Sequence, residues 1–197
     1  MIDINLLQKL NQAVELTGEP LEGNLFYSHH HVPESYELFK PFAVKRQFLI
    51  DLAKKFAHIV EIGFNAGHSA ALLLSSNDQL QLTSVDIGSH LYVIPCAKVI
   101  TKFFPGRHNL ILKDSAQLSQ VELQDAEAVI IDGNHLFEPC AKDLELCLLY
   151  CKPGTVIVLD DFDMPGVKQA LETVRTRLEL YEELSYDKIL QGVFYIV

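Results

Sequence analysis

The sequence predicts an α/β fold: a seven-stranded, mostly parallel sheet with helices on both faces and an antiparallel C-terminal hairpin. Three observations carry this. Five short apolar runs, at 58–62, 81–86, 109–113, 127–132 and 155–160, alternate with longer stretches of helical periodicity. Strands and helices alternating at these lengths require right-handed crossovers between parallel strands. Each apolar run ends in or just before an acid, and two further strand-like runs, 179–186 and 192–197, close the chain across the short link Asp187–Gln191.

The elements follow in order. Ile4, Leu7, Leu10 and Val14 recur at helical spacing, so 2–17 reads as an amphipathic helix. Gly18, Pro20 and Gly23 break it. Residues 24–40 read as irregular and rich in aromatics and histidine, and form a candidate substrate lid containing Phe26, Tyr27, Tyr36 and the run His29-His30-His31. Consecutive side chains point apart, so three adjacent histidines do not readily chelate one ion. Residues 42–56 read as a helix with Phe48, Leu49, Leu52 and Phe56 buried, and with Lys45 and Arg46 on its solvated face. Helices are expected at 67–76, 90–104, 136–151 and 165–178. With no repeat or linker, 1–197 reads as one domain: N-terminal helices and lid over 1–56 and a ligand-binding core over 57–197.

Composition narrows the partners. The chain has 197 residues, 49% of them hydrophobic, and a formal net charge of -10. That acidity argues against a nucleic-acid partner. The sequence shows no signal peptide and no apolar run of membrane-spanning length, so the expected compartment is the cytoplasm and no membrane partner is expected. Cys140, Cys147 and Cys151 fall on one helical stripe and, with Cys96, read as thiols rather than as a metal cluster.

Open α/β sheets bind ligands outside the carboxyl ends of their strands. Those ends hold Glu61-Ile62-Gly63, Asp86, Asp114-Ser115, Asp132-Gly133 and Asp160-Asp161. The first opens the loop Gly63-Phe64-Asn65-Ala66-Gly67-His68-Ser69. A dinucleotide cradle needs G-x-G-x-x-G, but Asn65 and His68 stand at its second and third glycine positions, and no P-loop exists. A nucleoside ligand without a phosphate chain fits better.

Residues 42–197 resemble the class I S-adenosylmethionine-dependent methyltransferases, whose fold is Rossmann-like. The loop 61–69, Asp86, Asp114-Ser115, Ile131-Asp132-Gly133-Asn134-His135 and Lys152-Pro153-Gly154 leading to Asp160-Asp161 carry the resemblance. Asn65 departs from the common G-x-G-x-G form, but the variant is familiar in the branch with I-D-G-x-H and D-D motifs. The resemblance implies S-adenosylmethionine as cofactor. Gly63 and Gly67 allow close backbone approach around its methionyl portion, with Glu61 nearby. Asp86 is placed to accept the ribose hydroxyls. Asp114 and Ser115 would lie near the adenine, although Ser115 serves equally as a helix cap. Phe64 and His68 line the cofactor pocket, unless Phe64 is plain core.

Asp132, Asp160 and Asp161 resemble the Mg²⁺ ligands of metal-dependent O-methyltransferases that act on small-molecule hydroxyls. Three converging carboxylates need a cation or protons, and oxygen ligands suit Mg²⁺. The alternative is that these acids, and Asp163 beside them, cap or shape turns. His135 is either the general base that takes the hydroxyl proton, a hydrogen-bonding support, or a helix-start histidine. The acceptor pocket is expected from the N-terminal segment, short loops or a partner subunit, which leaves a homo-oligomer open. A nucleic-acid- or protein-modifying methyltransferase, a non-catalytic cofactor-binding protein and an NAD-dependent dehydrogenase are the rival readings, the last weakened by Asn65 and His68.

Overall fold

The computed structural model describes residues 2–26, 42–186 and 189–197; Tyr27, His29, His30, His31 and Tyr36, and with them most of the segment read as a lid, lie outside the described residues. The chain runs α1 (Ile4–Glu15), α2 (Ala43–Lys55), β1 (His58–Ile62), α3 (His68–Ser76), β2 (Gln81–Asp86), α4 (Val93–Phe103), β3 (His108–Leu112), α5 (Gln120–Leu123), β4 (Ala128–Ile131), α6 (Phe137–Tyr150), β5 (Val156–Leu159), α7 (Pro165–Val174), β6 (Leu178–Tyr186) and β7 (Ile189–Ile196). No helix among the described residues is long and apolar enough to cross a membrane.

The seven strands are ordered β3-β2-β1-β4-β5-β7-β6. The first five are parallel, β7 runs antiparallel to β5, and β6 antiparallel to β7. The predicted fold class is therefore the observed one. The chain builds outward from β1 to β3, then returns to the other side of β1 for β4, so the topological switch lies between β1 and β4. A crevice opens there, beyond the carboxyl ends of these strands.

Strand alternation divides the core between the two sheet faces. Ile59, Ala128, Ile130, Val156 and Val158 pack with residues of α1 to α4, whereas Val60, Val129, Ile131, Ile157 and Leu159 pack with residues of α5 to α7. Such double burial explains the nearly continuous apolar runs of the central strands. It also sets where strand-end acids point. Ile130 pairs with Val158; two residues on, Asp132 and Asp160 project to the same face, that of α2.

Several boundaries differ from expectation. β7 begins at Ile189, inside the expected link, and α5 was not anticipated because one helical turn carries too little periodicity. In α1 the buried side chains are Leu6, Leu7, Leu10, Asn11, Ala13 and Val14, while Ile4 is 55% exposed in the first turn, where the helix has not yet reached the sheet's cover. In α2, Arg46 is buried with Leu49, Leu52 and Ala53, contrary to the solvated face expected for it. Its Nη1 donates to the Leu25 carbonyl at 3.0 Å, which gives the buried guanidinium a hydrogen-bond acceptor. Cys96, Cys140 and Cys147 are buried free thiols, and Cys151 is half-buried.

At the switch, the backbone of Gly63 packs against the end of β4. Its φ is +101°, and a Cβ built there would stand 2.1 Å from the Asp132 carbonyl oxygen. Only glycine tolerates both conditions. Gly63→Ala is expected to cost at least about 2 kcal/mol of stability, read as a lowered midpoint in urea unfolding.

Candidate functional site

A cavity of about 920 Å³ opens over the switch point. Its walls include Gly63, Phe64, Asn65, His68, Ser69 and Asp86 at one end and Asp132, His135, Asp160 and Asp161 at another. Asp114 and Ser115 complete the β3 side, and Glu22–Leu25 with Phe42 bring the N-terminal segment to the rim. Every sequence-predicted site residue lines this cavity except Glu61 and Gly67, which lie directly behind it.

The loop after β1 is held by its own amides. Asp86 Oδ2 accepts from Phe64 N–H at 3.0 Å and Asn65 N–H at 2.9 Å, and Oδ1 accepts from Gly88 N–H at 2.7 Å. An ionised carboxylate has about four acceptor sites, so roughly one remains for a ligand hydroxyl. Asn65 adopts φ +51°. Asparagine is the residue other than glycine that best tolerates this left-handed region, which is why the departure from a glycine here does not break the loop. Its Nδ2 donates to the Glu22 carbonyl, tying the loop to the N-terminal segment. Gly67, at φ +75°, caps α3 without a side chain and lies against the Phe64 ring. Phe64 is fully buried and stacked on His108 with ring centroids 5.4 Å apart, so it serves as core and cavity wall together. His68 is buried edge-on to Phe26 at 5.7 Å, and burial pushes its imidazole down to about 4, so it is neutral.

On the β3 side, Asp114 caps the turn Ser115–Gln117 by accepting from Ala116 N–H at 2.9 Å. Ser115 follows the cap. In α6, which packs against that turn, burial raises the Asp143 carboxyl to about 6.

The acid end was read in part from the sequence. Asp132 and Asp160 converge, but the group between them is the Lys45 ammonium, 3.3 Å from Asp132 Oδ2 and in direct contact with Asp160 Oδ2. Lys45 therefore turns inward, contrary to the solvated face expected of it. One signal was available: Lys45, Phe48, Leu49 and Leu52 follow the i, i+3, i+4, i+7 pattern of a buried stripe. Burial alone would raise the Asp132 carboxyl; the Lys45 ammonium and His135 outweigh it and hold Asp132 well below the usual carboxylate range. His135 Nε2 stands 3.8 Å from Asp132 Oδ1 and 3.5 Å from Asp161 Oδ2. The Asp132 carboxylate beside it raises the imidazole above its ordinary value, against an opposing effect of burial. Burial raises the Asp161 carboxyl, and Asp161 sits at φ +49°, in the left-handed region that aspartate tolerates better than most residues with a Cβ. Asp163 turns away and accepts from Leu190 N–H of β7 at 3.2 Å. Among the described residues, no group of three His, Cys, Asp or Glu is disposed to hold a metal ion. The acids as arranged do not fit a resident divalent ion, because an ammonium stands where it would bind.

Beneath the cavity, Glu61 is 2% exposed. It accepts from Ser84 Oγ at 2.5 Å and Ser69 Oγ at 2.7 Å, and Ser84 Oγ is 2.9 Å from His108 Nε2. Burial, only partly offset by the two hydroxyls, raises the carboxyl to about 7. The folded chain thus binds a proton that an unfolded Glu61 releases near pH 4.5. The resulting stabilisation is complete below pH 4.5 and is lost as pH rises through about 7. Its full extent is about 3 kcal/mol. Urea unfolding across that range is expected to show the stability of the native protein falling relative to that of Glu61→Gln as pH rises.

Comparison with known proteins follows the same lines. An O-methyltransferase from Bacillus cereus, in complex with SAH, is similar with a TM-score of 0.70 at 17% identity, over 99% of this chain and 91% of that one. The SAH-bound methyltransferase PaMTH1 of Podospora anserina gives 0.67 at 14% identity, over 100% and 89% of the chains. CalS11, a TDP-rhamnose 3'-O-methyltransferase in calicheamicin biosynthesis, gives 0.63 at 14% identity, over 98% and 95%. No curated protein matches the sequence. At these identities the structural likeness speaks to the fold. The family model described as "Methyltransferase domain" matches residues 60–162, which is more than half of the chain and contains the loop 63–67, Asp86, Asp132 and Asp160-Asp161; the chain belongs to that methyltransferase family.

Proposed function

We propose that the protein is an S-adenosylmethionine-dependent methyltransferase acting on a hydroxyl of a small molecule. The observation that carries this reading is a single cavity with a glycine loop and Asp86 at one end and His135 among three carboxylates at the other. The described residues fit the cofactor. Gly63 brings backbone without a side chain to the cavity wall, and the N-terminal turn of α3 offers amides not engaged by a capping side chain, suited to a carboxylate. Asp86 keeps acceptor capacity for a ribose hydroxyl, and Asp114 and Ser115 border the space for the adenine.

When bound, S-adenosylmethionine supplies an electrophilic methyl group on a sulfonium. The chain's own residues do the rest. The loop 63–67 and Asp86 fix the donor end of the cavity, and His135 holds the acceptor end. In its neutral form His135 would accept the proton of an acceptor hydroxyl whose oxygen takes the methyl group, the carbon–sulfur bond breaking to leave the neutral thioether, and Asp132 and Asp161 would stabilise the imidazolium formed. Positioning supplies much of the remaining rate. A magnesium ion would first have to displace Lys45. The O-methyltransferases from B. cereus and of calicheamicin biosynthesis support hydroxyl as the acceptor class. The net charge of -10 favours a small acceptor over a nucleic acid.

Two outcomes are expected. Calorimetric titration with S-adenosylhomocysteine should show saturable binding that Asp86→Ala abolishes; a folded native protein that binds none would overturn the reading. With an acceptor from a panel of small hydroxyl compounds, kcat should rise with pH through a value above 6.5 as His135 deprotonates. His135→Asn should lower kcat by about 10²- to 10⁴-fold while leaving cofactor affinity unchanged.

A further inference from the structure

The acids at the ends of β4 and β5 already hold a cation. Asp132 and Asp160 leave adjacent parallel strands toward the same sheet face, and Lys45 enters from α2 on that face. The side chains of Lys45 and Asp160 are 16% and 5% exposed, so solvent screens their pairing weakly. The helix that carries Lys45 is fixed from the next residue onward. Arg46, next in the chain, is bonded to the Leu25 carbonyl, and Leu49, Leu52 and Ala53 are packed in the core. Were the ammonium to swing out to solvent, the buried Asp160 would lose the cation that faces it, which is the costly state for a buried charge.

We propose that Lys45 is a built-in counter-cation that takes the place of a divalent metal at the Asp132–Asp160 pair and excludes such ions from it. The positive charge at the acceptor end is then part of the chain. A divalent ion binds an acceptor best through two adjacent oxygens, whereas an ammonium needs only one to donate to. On the methyl-transfer reading proposed above, acceptors with a single hydroxyl are therefore substrates; the exclusion of metal does not depend on that reading.

The test is titration of the full chain with Mn²⁺, followed by the electron paramagnetic resonance of the free ion, with and without S-adenosylhomocysteine. The native protein and Lys45→Arg, which keeps the charge, are expected to show no saturable site up to about 1 mM, the weak end of protein cation sites. Lys45→Ala is expected to acquire a site at least about tenfold tighter, since the two carboxylates are then open to oxygen-seeking ions. A site in the native protein with Kd below about 100 μM that Asp160→Asn removes would overturn the proposal. So would a folded Lys45→Ala that gains no site. Because the readout is ion binding, failure here is distinct from failure to bind S-adenosylhomocysteine or to transfer a methyl group.

Discussion

The pocket floor depends on how closely β1 and β4 approach where they end. Asp132 N–H donates to the Ile62 carbonyl at 2.9 Å, and Gly63 N–H donates to the Val85 carbonyl at 2.8 Å. The sheet hydrogen bonding thus continues one residue past both strands. A side chain at residue 63 would enter the Asp132 carbonyl, so this continuation exists only because residue 63 is glycine. Two consequences follow from one contact. The loop after β1 is turned back toward β2, where Asp86 takes its amides, and Asp132 is held at a fixed height beside Asp160. The glycine-loop end and the acid end of the cavity are thereby set by the same piece of backbone.

Charge is the second constraint. Asp132, Asp160 and Asp161 stand together, and two of them are drawn to Lys45 while Asp132 and Asp161 also face His135. Each positive group touches two acids, so no carboxylate in the cluster depends on solvent alone. Glu61 solves a similar problem differently. Desolvated and held by two hydroxyls, it takes up a proton at higher pH than an exposed glutamate does. Two neighbouring carboxylate environments, one ion-paired and one desolvated, lie on either side of the same loop.

Much of this was legible in the sequence, for a physical reason. Parallel strands buried on both faces must be apolar throughout, so their ends are marked sharply by the first acid or glycine, and Gly63, Asp86, Asp132 and Asp160 stand at those marks. What the sequence concealed lies where periodicity is ambiguous. Lys45 and Arg46 are charged residues on the edge of an apolar stripe, and a long basic side chain there can reach either solvent or a buried acid. Only the position of β4 and β5 relative to α2 decides between them. Ser84 and His108 were likewise unreadable as partners of Glu61, because cross-strand neighbours are set by register and not by spacing along the chain.

Strand register also explains why the lysine, rather than the histidine, bridges Asp132 and Asp160. Residues 132 and 160 extend the pairing of Ile130 with Val158, so their side chains point to the α2 face. Asp161 belongs to the opposite parity, and an extended backbone would send its carboxylate to the other face. Its left-handed φ of +49° reverses that direction and brings it to His135. The left-handed residue is thus what adds a third carboxylate to a cluster that strand geometry alone would limit to two, and it places that carboxylate 3.5 Å from the His135 ring nitrogen.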